Sequence, residues 1–153
     1  MIFLGADMMN ASLALTQMPR LLADWVAHLH VAPLLIVGAV MVFYVLLGCV
    51  MDELSMILLT IPIFFPLIMA LDFGLKPDET AIWFGILVLM VVEIGLIAPP
   101  VGLNVYVVNG MDKRTPIAES YRGVVPFLIT DFIRTTLLLL FPAITLYLVR
   151  LMN

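Results

Sequence analysis

The stretch EIGLIAPPVGLNVYVVNG, at positions 93–110, is almost wholly apolar and yet cannot form one unbroken helix. Pro99 and Pro100 remove two backbone donors, and a proline inside a helix also clashes with the carbonyl four residues before it. Gly95 and Gly102 flank the pair and free the backbone on either side. In hydrocarbon each unpaired backbone group costs several kcal/mol, so a broken helix persists there only where protein or a wet cavity covers it. The stretch therefore predicts two helical segments that meet at a covered break.

The composition places this break in a membrane protein. Of the 153 residues, 64% are hydrophobic and 12% charged, whereas soluble domains average about 45–50% apolar and about 25% charged residues. The net charge of −4 argues against nucleic-acid binding, which needs a basic surface. The single cysteine, Cys49, excludes an internal disulfide and a thiolate metal cluster. We therefore predict an all-α polytopic membrane protein with proline-broken helices, forming a single transmembrane domain over residues 1–153 in a lipid bilayer.

Several apolar segments precede and follow the break. Residues 2–18 predict a helix that ends at Pro19. Residues 19–30 predict either a short interfacial amphipathic helix or a re-entrant arm lying on the bilayer. Residues 33–51 carry no charge and are long enough to span a membrane. The remaining segments, which bring the expected number to between four and six, are residues 54–71, 81–92 and 126–149.

Prolines also predict distortions elsewhere in the chain. Pro62 and Pro66 are expected to break the segment 54–71, because neither can donate a backbone hydrogen bond. Thr60 is placed to satisfy a carbonyl that Pro62 frees. Pro142 is expected to kink the last membrane segment.

Two adjacent acids, Asp52 and Glu53, separate two long apolar stretches. A carboxylate at the bilayer centre costs about 2.5–3.5 kcal/mol on insertion scales. The acids therefore either mark a tight turn in water or lie at membrane depth and face an ion path. The absence of Gly, Pro or Asn after Gly48 favours a continuous helix through Asp52, and with it the ion path. Glu93 leaves two alternatives open, a buried carboxylate that pairs at the break or the end of a helix near water.

The break itself indicates a cation site beside an anion site. Carbonyls freed around Ala98 and Pro99 are oxygen ligands of the kind that coordinate Na⁺ at unwound helices, and a half-helix beginning near Gly102 points its N–H groups at an anion. The alternative is a plain loop between two spans, but such loops usually carry more polar residues than IAPPVGL does. We therefore predict a re-entrant hairpin whose tip lies near residues 95–104. The ion site is assigned to Gly95, Ala98, Pro99 and Gly102, and the substrate site to Pro100 and Asn104.

The sequence offers no set of residues for catalysis. It contains no Ser/His/Asp arrangement, no glycine-rich phosphate loop and no metal-ligand cluster. Asp52 and Glu93 could form an intramembrane aspartyl pair, but that hypothesis leaves the prolines unexplained. We therefore predict a protein that is not an enzyme and uses no cofactor other than a coupling ion.

The residues around the break resemble those of the large membrane subunit of tripartite ATP-independent periplasmic (TRAP) transporters, DctM-like. The resemblance covers nearly the whole chain. Position 98 is Ala where the family often has Thr, so a side-chain hydroxyl is missing there while the backbone carbonyls remain. Three stretches carry the resemblance: GLIAPPVGLNVYVVNGM (95–111), GCVMDELSMILLTIPIFFPLI (48–68) and PFLITDFIRTTLLLLFPAITLYL (126–148).

The resemblance implies an elevator-type secondary transporter driven by Na⁺, multi-pass in a bacterial inner membrane. Its partners would be a small membrane subunit and a periplasmic solute-binding protein that delivers organic acids such as C4-dicarboxylates, keto acids or sialic acid. By the same resemblance Asp52 is the acidic residue of the Na⁺ site. Family members are about three times as long and carry two inverted repeats, so the chain would correspond to the C-terminal third, with one hairpin. Two other interpretations stay open, a fragment of another broken-helix transporter and a structural membrane subunit without a substrate.

Overall fold

The protein is all-α, as predicted. A computed structural model describes residues 2–28, 31–99, 101–111 and 115–152, and these residues form eight helices and no strand. The helices are α1 (Ile2–Thr16), α2 (Met18–His28), α3 (Pro33–Gly48), α4 (Glu53–Met69), α5 (Pro77–Ile97), α6 (Leu103–Met111), α7 (Ile117–Leu140) and α8 (Pro142–Met152).

The central helix is α5, which contacts α3, α4, α6, α7 and α8. It is apolar on nearly every side, and such a helix is stable in the interior of a bundle. Its side chains Trp83, Leu87 and Val92 are completely buried against partners such as Tyr44 of α3. Because α5 is enclosed in this way, its carboxyl end is held in one place relative to α3 and α7.

Length and composition qualify α5 and α7 as helices that can cross a membrane, and α3, α4 and α8 are shorter apolar helices. The two long helices differ in burial. Half of the α5 span is buried inside the protein, against 11% of the α7 span. Most of the α7 surface is therefore left for lipid or for other protein. The expected four to six membrane segments stay a prediction.

The N-terminal helix ends earlier than predicted. Gln17, with a φ of +52°, makes the turn between α1 and α2, and Pro19 lies in the first turn of α2 instead of ending α1. Proline is tolerated in a first turn because the N–H groups there have no partner within the helix. In α2, Leu22 and Val26 pack against the core whereas Trp25 stays 64% exposed. The amphipathic pattern of α2 is therefore only partly used inside this chain.

The helices α3 and α5 approach each other closely at Gly48 and Gly95. A Cβ atom added to Gly95 would lie 2.7 Å from the Cα of Gly48, and one added to Gly48 would lie 3.0 Å from the Cα of Gly95. Small residues at a helix contact let the backbones touch in this way. The contact fixes the end of α3 beside the last turn of α5.

The predicted continuous helix through Asp52 is wrong. The helix α3 ends at Gly48 and α4 begins at Glu53, with Asp52 as its N-cap. The Asp52 Oδ2 accepts a hydrogen bond from the backbone N–H of Ser55 at 3.0 Å. Aspartate is among the strongest N-capping residues, since its carboxylate satisfies a donor that the helix leaves free. The capping preference of Asp52 therefore outweighs the lack of Gly, Pro or Asn in the connection.

The predicted break at Pro62 and Pro66 is also wrong, because α4 continues through both prolines. A proline frees the carbonyl four residues before it, and for Pro62 this is the carbonyl of Leu58. The Asn10 side chain of α1 donates to that carbonyl at 3.4 Å. A donor from another helix thus replaces the missing hydrogen bond.

Thr60 does not take the role that the sequence suggested for it. Its hydroxyl donates to the carbonyl of Met56 at 2.6 Å and lies 2.8 Å from the hydroxyl oxygen of Tyr44. Both Thr60 and Tyr44 are buried. The pair therefore links α3 to α4 within the core.

At Pro142 the predicted kink is a complete break, since α7 ends at Leu140 and α8 begins at Pro142. The carbonyl that Pro142 frees belongs to Leu138, and it accepts a hydrogen bond of 2.9 Å from the indole Nε1–H of Trp83. Further along α8, Arg150 forms a two-pronged ion pair with Glu79, with N–O distances of 2.8 and 3.1 Å. The corner between α7 and α8 is therefore fastened to α5.

Replacing Trp83 with Phe should destabilise the protein by about 1–3 kcal/mol, because the partly buried Leu138 carbonyl would lose its donor. Trp25→Phe is the matched control, as this indole is exposed on α2. Thermal unfolding in detergent, followed by far-UV circular dichroism, compares the two variants with the wild type. Equal midpoints for the two variants would show that the indole N–H contributes nothing to the corner.

Candidate ion and substrate site

The helix break lies where the proline pair predicted it. The helix α5 ends at Ile97, Ala98 is its C-cap with extended backbone (φ −74°, ψ 140°), and α6 begins at Leu103. Pro99 is exposed in the turn, and Pro100 lies outside the described residues. We call the turn from Ala98 to Gly102 the tip. Its depth in a membrane, which the word re-entrant implies, stays a prediction.

Gly102 makes the tip tight. Its φ of +50° lies in the left-handed region that glycine adopts without steric cost. A Cβ atom at this position would lie 3.1 Å from the Ile97 carbonyl oxygen and 3.3 Å from that of Ala98. The chain therefore folds back on itself, with two carbonyls at the end of α5 lying directly beside the residue that precedes α6.

Cys49 joins the tip to the connection between α3 and α4. Its Sγ lies 3.8 Å from the carbonyl oxygen of Ala98 and 3.9 Å from that of Pro99. The thiol is buried in a cluster with Ile94, Ala98 and Leu128. From the sequence alone, Cys49 only excluded a disulfide and a thiolate metal cluster, although its place directly after Gly48 puts it beside the contact of α3 with α5. Through Cys49, the connection between α3 and α4 lies beside the tip.

Asp52 belongs to this same connection, three residues after Cys49. Its side chain is exposed, and hydrogen bonds from the backbone N–H and the hydroxyl of Ser55 lower the pKa of the carboxyl below its usual value. The carboxylate is therefore ionised at neutral pH. It adds a fixed negative charge to the connection that contacts the tip.

The structure also describes three other predicted positions, Glu93, Gly95 and Asn104. Glu93 is exposed and α5 continues beyond it to Ile97, so it is neither a buried carboxylate nor the end of a helix. Gly95 is buried within α5 and packs against Gly48, and its assignment to the ion site stays a prediction. Asn104 is exposed in the first turn of α6. It lies on the α6 side of the tip, where a substrate group was expected.

The helix α7 closes another side of the tip. The Tyr121 hydroxyl donates a hydrogen bond of 2.6 Å to the carbonyl of Val101. Asn109, near the end of α6, donates to the carbonyl of Thr115 at 2.9 Å and to the hydroxyl of Ser120 at 3.0 Å. No local sequence pattern indicates these contacts, because the residues they link share none.

These features define a helical membrane protein of the broken-helix class. The family model of the tripartite ATP-independent periplasmic transporter, DctM component, matches residues 1–144. The chain belongs to this family, which confirms the resemblance. Since its homologues are transporter permeases, the prediction that the protein is not an enzyme is confirmed as well.

Three relatives illustrate the similarity. The C4-dicarboxylate TRAP transporter large permease protein DctM of Pseudomonas aeruginosa is 32% identical over 95% of this chain and 33% of its own length. The sialic acid TRAP transporter large permease protein SiaM of Vibrio cholerae is 29% identical over 97% of this chain and 33% of its own length. The 2,3-diketo-L-gulonate TRAP transporter large permease protein YiaN of Escherichia coli is 29% identical over 76% of this chain and 26% of its own length.

The chain spans about a third of the length of the first two of these relatives. No solved structure matches it.

Proposed function

We propose that this chain forms the tip-bearing part of a Na⁺-coupled secondary transporter that imports small organic acids. The observation that carries the proposal is the contact of Cys49 with the carbonyls of Ala98 and Pro99. It brings unwound backbone and the connection bearing Asp52 together beside the end of α5. Unwound carbonyls of this kind coordinate the coupling ion in broken-helix transporters.

On the ion side, the ligands would be backbone oxygens at the tip, with Asp52 supplying negative charge. Ala98 has no side-chain hydroxyl, so its contribution is restricted to its carbonyl. The carbonyls of Ile97 and Ala98 lie beside Gly102, where a larger residue would fill the space in front of them. A site made of carbonyl and carboxylate oxygens favours a hard cation over a soft one.

On the substrate side, α6 begins at Leu103 and directs its first N–H groups towards the tip. Its positive dipole end favours an anion. Asn104 lies in this first turn, and Pro100 belongs to the same tip in sequence. The names of the relatives refer to a C4-dicarboxylate, sialic acid and 2,3-diketo-L-gulonate, which are all acids. We extend only this common class, an organic acid, to the present chain.

The setting follows from the same proposal. A site built from two inverted repeats needs a second hairpin, which would lie in sequence beyond this third of the relatives' length. The protein would cross a bacterial inner membrane several times. It would work with a small membrane subunit and with a periplasmic protein that delivers the substrate, in keeping with the tripartite system for which the family is named.

The native thiol gives a direct test. Cys49 is the single cysteine of the chain, is 3% exposed, and touches the tip carbonyls. An ion that binds those carbonyls stabilises the closed tip, and at ten times its dissociation constant it does so by about 1.4 kcal/mol, or about tenfold. Maleimide should therefore modify Cys49 about tenfold more slowly in NaCl than in KCl of equal concentration. Equal rates in the two salts would contradict the proposal and favour a structural subunit.

A further inference from the structure

We propose that Tyr121 is a positioning residue that holds the tip in the shape needed for the ion. This inference rests on the proposed function, since it concerns the same tip. Tyr121 is not itself one of the residues assigned to the ion site. It acts through the carbonyl of Val101, to which its hydroxyl donates at 2.6 Å.

The Val101 carbonyl depends on a donor from outside the α5–tip–α6 segment. In the described part of the chain, the first backbone hydrogen bond of α6 runs from the Tyr106 N–H to the Gly102 carbonyl at 3.0 Å, so the Val101 carbonyl precedes the hydrogen-bond ladder of that helix. On its other side the proline pair provides no N–H. Val101 is 40% exposed on the protein surface, and if the tip lies in a membrane, as proposed, a carbonyl without a donor is unfavourable there. The Tyr121 hydroxyl removes that penalty for one orientation of the turn.

The rest of the same α7 face reinforces this contact. Val124 and Leu128 follow Tyr121 at positions i+3 and i+7, which lie on one side of a helix. Leu128 is buried with Ile94 and Ala98, and Val124 packs against the same cluster. The α7 face thus contacts the tip region on both sides of the proline pair.

The tip therefore has two restraints, each on different carbonyls. From the α3 side, the Cys49 thiol contacts the carbonyls of Ala98 and Pro99. From the α7 side, Tyr121 holds that of Val101. If the second restraint is removed, the tip opens more often and its carbonyls lose their preorganised arrangement. An ion must then order the tip as it binds, which weakens its affinity.

The test is Tyr121→Phe, which keeps the ring and removes only the hydroxyl. Tyr147→Phe is the matched control, because Tyr147 is 69% exposed on α8. In KCl, Cys49 of the Tyr121 variant should react with maleimide about two- to tenfold faster than in the wild type, the range expected for losing one hydrogen bond. The Na⁺ concentration that gives half-maximal protection should rise by a similar factor, and the control should match the wild type in both respects.

Thermal unfolding, followed by circular dichroism, separates positioning from general stability. A merely structural role would lower the unfolding midpoint and raise the labelling rate together, and this result would overturn the inference. A Tyr121 variant whose Cys49 is labelled at the wild-type rate in KCl would overturn the inference too. The proposed function fails by a different result, namely wild-type protein that labels equally in NaCl and KCl.

Discussion

Replacing Gly95 with Ala should destabilise the protein by about 1–3 kcal/mol, because the new methyl group would meet backbone instead of a movable side chain. The nearest atom is the Cα of Gly48 at 2.7 Å, followed by the Gly48 carbonyl carbon at 3.0 Å. Two helices would have to separate to make room. Since Cys49 follows Gly48 directly, this separation should also pull the thiol from the tip and increase its reactivity.

Gly85→Ala is the matched control on the same helix. A Cβ atom at Gly85 would have no neighbour within 4 Å, and alanine is favoured over glycine in a helix by about 1 kcal/mol. The two glycine-to-alanine changes in α5 should therefore alter the free energy of unfolding with opposite signs. Denaturant unfolding in detergent measures both. A Gly95 variant as stable as the Gly85 variant would contradict the close contact between α3 and α5.

Asp52→Asn should weaken the dependence of Cys49 labelling on Na⁺ while leaving the fold intact. Asparagine caps a helix about as well as aspartate does, so the start of α4 should survive the change. What is lost is the charge. Because a carboxylate attracts a nearby cation more strongly than a neutral amide does, the Na⁺ concentration needed for half-maximal protection should rise about tenfold.

Glu53→Gln is the control for the charge of the connection as a whole. Glu53 is the adjacent exposed acid in the first turn of α4, and it does not cap the helix. The control should keep the wild-type Na⁺ dependence. If Asp52→Asn keeps it as well, Asp52 has no part in binding the ion. If both variants lose it to the same extent, the effect comes from general charge and not from a specific ligand.

The sequence by itself determined the features that depend on composition and on backbone chemistry. An apolar chain with few charges indicates a helical membrane protein. The helix had to break at Pro99 and Pro100, because two successive residues without an N–H, flanked by glycines, cannot continue it. The motifs around this break were enough to indicate the family, which the comparisons confirmed. The order and approximate bounds of most helices followed from the same local signals.

Local signals failed where a distant part of the chain supplied the deciding contact. Pro62 was expected to break α4, but Asn10, 48 residues from Leu58 in sequence, donates to the freed carbonyl and the helix continues. A replacement donor does not by itself keep a helix intact, since the helix breaks at Pro142 although Trp83, 55 residues away in sequence, donates to the freed carbonyl of Leu138.

The surroundings of the tip were likewise decided by the tertiary structure. Which residues hold it depended on the contact of Gly48 with Gly95, on Cys49 at the carbonyls of Ala98 and Pro99, and on Tyr121 at that of Val101. The physical reason is the same in each case. The position of a proline in the sequence shows which backbone hydrogen bond is lost. The residue that replaces this bond is selected by packing between helices far apart in sequence.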